Sequence, residues 1–497
     1  MSRRYRFGPI ERRPLVGPLR AGQFVVLAVG AALGLAALYA LRSLLGMGLA
    51  LALLAGATVV IALPVEGRTA EEWAPAAGRW AIRRRAASRG WRNQAAGAGT
   101  RVDAAGEAHH ELALPPELAG LELRAVPYGS GEVGVMRDPR AGTYTAALAV
   151  QSGPFILRDS GEQERALDAW GDVLASTTRD GSPVRRVQWL EQTAPALGDE
   201  LAAHFHAARD RAVPLESDLV RSYVELVEAA APSATEHEVL IGVQIDERRA
   251  GRELRRRGGG VEAACAVALR EAESLAERLA MADVSVSGLL QPRQYAAHLR
   301  DAYDPFGRRG RERLSLADPG REGAEPALMG PAATEESWSH FHTDSAWHTT
   351  WWISSWPRSE VGPMFLVPLL MAAGVLRTVA VTIEPVPYSV AMRRAEAAQT
   401  AEVADEMARV RQGFVTTART RRRAQAVSRR EEELADGHAE LRFSGWLRAT
   451  APGLEELERA EGDVEHAAAL ARLGLQRAYG EQAAAFANTL LLAGGLK

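Results

Sequence analysis

Two uninterrupted apolar runs near the start dominate the pattern of hydrophobic and polar positions. They are FVVLAVGAALGLAALYAL, Phe24 to Leu41, and LLGMGLALALLAGATVVIAL, Leu44 to Leu63, parted by Arg42-Ser43. Each carries no charge over 18 to 20 residues, and at about 1.5 Å per residue each crosses a hydrocarbon layer of about 30 Å. The pattern predicts a transmembrane hairpin over residues 22–65 with Arg42 in the turn at the far interface. One continuous helix would strand that charge in lipid. The competing reading is a signal peptide with a basic leader, and a second full-length apolar run following at once argues against it.

Arginines fix the expected orientation. Arg3, Arg4, Arg6, Arg12, Arg13 and Arg20 precede the hairpin, and Arg68, Arg79, Arg83, Arg84, Arg85, Arg89 and Arg92 follow it. Only Arg42 lies between. Basic residues stay on the cytoplasmic side, so the expectation is a two-pass protein of the plasma membrane, in contact with the lipid bilayer, with both termini cytoplasmic. Residues 1–21, with Pro9, Pro14 and Pro18, form a basic extended tail near the head groups.

After the hairpin, residues 66–115 read as a helix and a linker. Trp73, Trp80 and Trp91 are spaced among arginines, which suits a helix on the membrane interface. An amphipathic helix packed on the following domain fits equally well. Gln94 to Glu111, rich in Ala and Gly, reads as a flexible linker.

From Leu121 the period shortens toward two. LELRAVPY, GEVGVMRD, TYTAALAVQ, VRRVQWLEQTA and EHEVLIGVQID predict strands; Glu162 to Thr178, with Ser160 as cap, and most of Leu197 to Ala230 predict helices. These make an α/β unit over 116–250. Residues 251–334 form a helical connector and linker: a basic loop over Glu247 to Gly260 leads into it, then helices over Val261 to Ala282 and Pro292 to Tyr303. Residues 335–497 form a second α/β unit. It has a strand at Trp347 to Trp356, a buried helix at Met364 to Val375, and strands at Val375 to Pro387 and Ala439 to Pro452. A long polar helical stretch or hairpin spans Ser389 to Asp436, and helices close the chain from Gly453 to Ala493. The expected fold class is a membrane-anchored α/β (α+β) protein, a two-helix hairpin followed by mainly antiparallel sheet with helices.

Composition narrows the function. The net charge of −3 shows no global basic bias toward nucleic acid. The basic loop reads as a solvated face, with nucleic-acid contact left open. Cys265 is the one cysteine, which excludes an internal disulfide framework. No G-x-x-x-x-G-K-[ST], no G-x-S-x-G, no C-x-x-C and no H-E-x-x-H occurs. His340 and His342 would share one face of a strand and could hold a metal, but no second locus is marked to complete the set. Packing among tryptophans is their simpler role. No catalytic constellation emerges, so the chain reads as no enzyme, with no cofactor.

The opening RYRFGPIERRPLVGPLRAGQ and the stretch EGRTAEEWAPAAGRWAIRRR resemble an actinobacterial family of integral membrane proteins. That family is similar at its start to the two-helix PrgI-type subunits of conjugation systems. Leu275 to Tyr303 with its DPF ending, WSHFHTD leading into ISSWPRSEVGPMFLVPLL, the TVAVTIEPVP strand and the closing helices resemble the non-motor region of type IV secretion ATPases. The resemblance implies a membrane-anchored adaptor of a type IV secretion-like or conjugation-like system that docks a separate secretion ATPase, with homo-oligomers or other membrane subunits as further partners. Phe486, Leu490, Leu491 and Leu492 are the candidate docking residues, against the alternative that they complete the local core. A type VII secretion membrane subunit and a membrane-bound metal enzyme remain alternatives.

Overall fold

The computed structural model describes residues 21–62, 68–85, 90–93, 100–102, 108–110, 114–153, 155–195, 205, 208–210, 213–214, 217–230, 235–308, 310–311, 323–372, 374–411 and 418–495. The basic tail and the undescribed part of 197–217 therefore lie outside the described residues.

The apolar runs form helices α1, Ala21–Leu41, and α2, Leu44–Ala62. Arg42 makes the turn in the left-handed region at φ 38°. Ser43 starts α2, its Oγ accepting from the Gly46 amide at 3.4 Å. The helices close on small residues: a Cβ on Gly30 would stand 2.8 Å from that of Ala57, and one on Gly34 would stand 3.6 Å from that of Ala50. Only 17% and 11% of the two spans is buried. Helices apolar on every side and largely uncovered are suited to lipid rather than to a soluble core.

The rest is a mixed α/β body. Helix α3, Ala70–Arg85, is followed by β1, Gly90–Arg92, and a small separate pair, β2, Thr100–Val102, and β3, Ala108–His110. Then come β4, Glu122–Tyr128; β5, Gly131–Asp138; β6, Thr143–Ser152; α4, Ser160–Ala175; β7, Val184–Pro195; α5, Asp218–Ala230; and β8, Thr235–Asp246. Next are α6, Glu247–Arg256; α7, Gly260–Met281; β9, Val284–Leu289; and α8, Pro292–Tyr303. The second half holds β10, Ala333–Glu336; β11, Phe341–His342; β12, Trp347–Ser355; α9, Val367–Leu370; β13, Leu376–Pro385; α10, Tyr388–Arg411; and α11, Ala418–Ala435. It ends with β14, Leu441–Ala451; α12, Leu454–Leu470; β15, Gly474–Arg477; and α13, Gln482–Ala487.

Thirteen of the described strands form one antiparallel sheet in the order β1-β10-β11-β12-β14-β13-β7-β8-β6-β5-β4, with β15 added to β12 and β9 to β6. Apart from β1, the order reads alike from both ends. A strand pair leads into β6 or β12, which shares one edge with β9 or β15 and the other with β8 or β14; β7 or β13 then lies innermost. Each half inserts helical chain before β8 or β14. The two halves meet about a pseudo-dyad where β7 and β13 pair, Val187 opposite Ile383 through Gln192 opposite Thr378. One sheet thus joins segments 116–250 and 335–497.

Alternation places helices on both faces. On one, Val187, Ile241 and Leu148 pack under α4 and α7, where Cys265 is buried, and Trp351, Val379 and Leu447 pack under α12. On the other, Leu190, Leu240 and Ala380 meet Tyr295 and Leu299 of α8 and Phe486 of α13.

Several expectations change. The stretch Glu247 to Arg256 is a helix, not a loop, because Asp246 Oδ1 accepts from the amides of Arg248 and Arg249 at 2.8 and 3.2 Å, and Arg255 and Arg256 close its last turn. The cap of α4 is Asp159, reciprocally bonded with Glu162, rather than Ser160. The expected buried helix at 364–375 shrinks to the single turn of α9. The linker region contains the β2–β3 pair. Strands β9 and β15 were not legible, since both are short pieces recruited by the edges of longer strands. Of the two readings for Ser389 to Asp436, the structure has the helical hairpin.

The hairpin geometry has a direct check. With Cys265 replaced by alanine, a Gly34→Cys, Ala50→Cys variant places its Cβ atoms at 3.6 Å, within disulfide range. Oxidation in membranes is expected to give an intramolecular bridge, read by thiol alkylation and mass spectrometry. No bridge, or bridges only between chains, would contradict the hairpin.

Candidate functional site

Two features set this body apart from an ordinary sheet domain: the joint that ties it to the apolar hairpin, and a charge network at the end of α8.

The joint is helix α3, which touches both α1 and α2. Thr69 opens it, its carbonyl accepting from the Glu72 and Trp73 amides at 2.9 and 3.1 Å. Trp73, Ala76, Trp80 and Arg83 then recur at helical spacing on one face, with Ala76 buried. That face meets the sheet body. Trp73 stacks on Trp338 at 5.7 Å and 19°, and Trp80 meets the edge of the same ring at 5.1 Å and 74°. Tyr479 lies 5.5 Å from Trp73. Gly480 is required here: its φ is 69°, and a Cβ would come within 2.5 Å of the Trp338 ring.

Charge locks the helix in place. Arg83 pairs with buried Glu336 at 2.8 Å and donates to the Gly480 carbonyl at 2.8 Å. Arg79 pairs with Glu481. Arg68 lies 5.3 Å over Trp73, and burial pulls its guanidinium below its usual range. The other oxygen of Glu336 accepts from the Ala483 amide at 3.1 Å, so one carboxylate holds both α3 and the start of α13.

Of the two readings for the tryptophans, the structure has Trp73 and Trp80 packed on the following domain. Trp91 leaves the helix altogether and sits in β1 opposite Thr334. Arg42 occupies the turn, its guanidinium 5.1 Å over Tyr39.

The second feature gathers two motifs far apart in sequence. Asp304 of the DPF stretch pairs with Arg300 at 3.3 Å, and Arg300 pairs with Asp344 of the HTD stretch at 2.7 Å. Thr343 donates to the Tyr303 carbonyl at 2.5 Å. Asp344 also accepts from the Ala332 and Ala333 amides at 2.8 Å, fixing the start of β10. Arg311 bridges Asp301 and Asp304, and Arg308 reaches Glu236 and Glu238 on β8. Burial pushes the Glu238 carboxyl up, but His298 at 3.7 Å, the Arg308 charge and a 2.8 Å bond from Gln192 outweigh it and hold it at about 2. Sequence reading found the motifs but not their meeting, because nothing local marks Asp304 and Asp344 as partners of one arginine.

His340 and His342 share a side, as their spacing predicts, and both lie against Trp347, at 5.1 and 4.1 Å. Among the described residues no group of three His, Cys, Asp or Glu side chains is placed to hold a metal ion. His348 is fully buried between Thr343 and Thr450, at 2.9 and 3.0 Å, and burial holds it well below its usual value, so it is neutral.

Phe486, Leu490 and Leu491 correct the docking expectation, since each is at most 1% exposed; Leu492 is partly buried against the same core. The segment after α13 lies across the sheet as a strap. Gln188 donates to the Leu490 carbonyl at 3.0 Å and accepts from the Ala493 amide at 2.8 Å; Gln244 donates to Leu492 at 3.0 Å and Tyr295 to Leu491 at 2.5 Å. The apolar run that looks like an interface is the core that these polar side chains pin.

Residues 233–353, roughly a quarter of the chain, match the family model described as "EccE: Putative type VII ESX secretion system translocon, EccE". They run from β8 to β12 and contain the whole Arg300–Asp304–Asp344 network. Among curated proteins none matches the chain. The match and the two apolar helices together support a membrane component of a secretion system.

Two outcomes are expected from this geometry. Trp338→Ala removes the ring shared by Trp73 and Trp80 and should cost about 3 kcal/mol or more; the midpoint of thermal unfolding should fall and protease should cut after Arg84 or Arg85. Unchanged protection would show that α3 is held by other means. Glu238 has a folded value depressed to about 2. Its stabilisation is therefore complete above the unfolded value of about 4.3 and is lost as pH falls through that window toward about 2. Denaturant titrations from pH 6 to pH 2.5 should show Glu238→Gln with a shallower acid loss than wild type; equal slopes would count against the network.

Proposed function

We propose that this chain is a membrane-anchored, non-enzymatic subunit of a type VII secretion translocon. The observation that carries the reading is the match over 233–353, placed where the DPF and HTD stretches meet. It favours the type VII alternative over the type IV reading, which rests on the order of segments. The absence of a nucleotide-binding string supports a structural role. Lys497 is the sole lysine, so no phosphate-loop lysine exists in residues 1–496. A separate ATPase supplies the energy in this reading, and the sheet body holds neighbouring membrane subunits in register with it.

The arginine imbalance supports two passes with both ends cytoplasmic. Helix α3 then acts as the coupling. It leaves the bilayer beside α2 and is bolted by Trp73, Trp80, Arg79 and Arg83 to the sheet, so a shift of either part is felt by the other.

Affinity purification of the tagged full chain in mild detergent tests the assignment. Co-purifying chains should be membrane subunits of a type VII translocon; conjugation-type components in their place would restore the type IV reading. For topology, alkaline phosphatase fused after Lys497 should be inactive, and strong activity would refute cytoplasmic ends.

A further inference from the structure

Arg448 stands out among the buried charges. It lies on β14 between Thr350 and Thr378 of the flanking strands and is 4% exposed. Its Nη2 donates to Thr378 Oγ1 at 2.8 Å, and its guanidinium lies 4.6 Å over the Phe486 ring. Its Nε and Nη1 have no hydrogen-bond partner among the described residues, and no carboxylate there pairs with it. An orphaned buried guanidinium needs an explanation, since charge without a partner is strongly disfavoured inside a protein.

Arg448 lines a cavity of about 20 Å³ together with Thr378, Thr450, Gln192, Ala302 and Asp301. That volume suits one water or one monatomic ion. Asp301 also faces the cavity, but its carboxylate is engaged by Arg311 at 2.5 Å and Arg308 at 3.7 Å. The Gln192 amide is engaged by Glu238 at 2.8 Å. Arg448 is therefore the one cation on the cavity wall without a described carboxylate partner.

We propose that this cavity is a halide site, in which a single chloride-sized anion sits against Arg448 Nε and Nη1 and completes the packing of β13, β14 and α8. Burial lowers the guanidinium only to about 9, so it keeps its proton at cytoplasmic pH. The neighbouring His348 is neutral and does not compete for the anion. The site is independent of the secretion reading, because it rests on the packing of the sheet alone.

Thermal unfolding of the full chain in detergent tests it, with gluconate exchanged for chloride, bromide or iodide at constant ionic strength. The midpoint should rise saturably with halide, by about 2 °C between about 5 and about 200 mM. Gluconate, too large for the cavity, should give no such rise. In Arg448→Met the halide response should vanish. Should that variant fail to fold, Ala302→Val, which fills the cavity and keeps the charge, replaces it with the same expectation. Equal wild-type midpoints in halide and gluconate would overturn the site and leave a water there. So would a halide response that survives in either variant.

Discussion

The structure depends on the pairing of two strands, Val187 to Gln192 with Thr378 to Ile383. Without it each half would end in an innermost strand with its amides and carbonyls unpaired, an open template for aggregation. With it, both halves lose an edge and the two faces become continuous. Trp189 and Val381 face each other at the middle of the pairing and pack into the same helical layer. The opposite face carries Gln188, Gln192, Thr378 and Thr382, all buried. Buried polar strand residues are costly unless satisfied. The strap beyond α13 satisfies Gln188 with backbone groups from Leu490 and Ala493. Sheet pairing and strap are therefore linked at Gln188, whose amide finds its partners in the chain laid across the sheet.

Much of this was legible in the sequence, and the failures have physical causes. Long runs with a clear period gave the hairpin and strands β4 to β8, β12, β13 and β14 nearly to the residue. Elements set by a cap or a neighbour were lost. Helix α6 reads as a basic loop because its stability comes from Asp246 outside it, and β9 and β15 exist only beside β6 and β12. The candidate site was half visible. The arginine-tryptophan spacing of α3 pointed to a surface, and only the ring of Trp338 shows that the surface is protein. The apolar end, Phe486 with Leu490 and Leu491, could not be told from an interface because burial by a strap and burial by a partner demand the same residues.

The pseudo-dyad also separates what is shared from what is specialised. The strand framework repeats in both halves. The α3 joint does not: it engages Glu336, Trp338, Tyr479 and Gly480, all in the second half. The Arg300–Asp344 pair crosses between halves, tying α8 to the start of β10 beside that joint. The α3 joint and the β10 to β12 part of the matched segment 233–353 thus lie at one end of the sheet.

That asymmetry bears on how copies or neighbours could assemble. At one end of the sheet β10 is covered by β1, which follows the α3 joint. At the other, β4 is an edge strand, and its sequence defends it. Pro127 lacks a donor, and Glu122 and Arg124 pair with each other at 2.9 Å while Arg137 holds the same carboxylate at 3.0 Å. Charge and proline on an edge oppose strand addition. Growth of the sheet from chain to chain is therefore disfavoured at this edge, and a contact made at this end would use helical or loop surfaces. The helical insertions before β8 and β14 fit that role by topology. They leave from the ends of β7 and β13, which run antiparallel, so they depart from opposite ends of the central pair and offer two separate contacts on one rigid sheet.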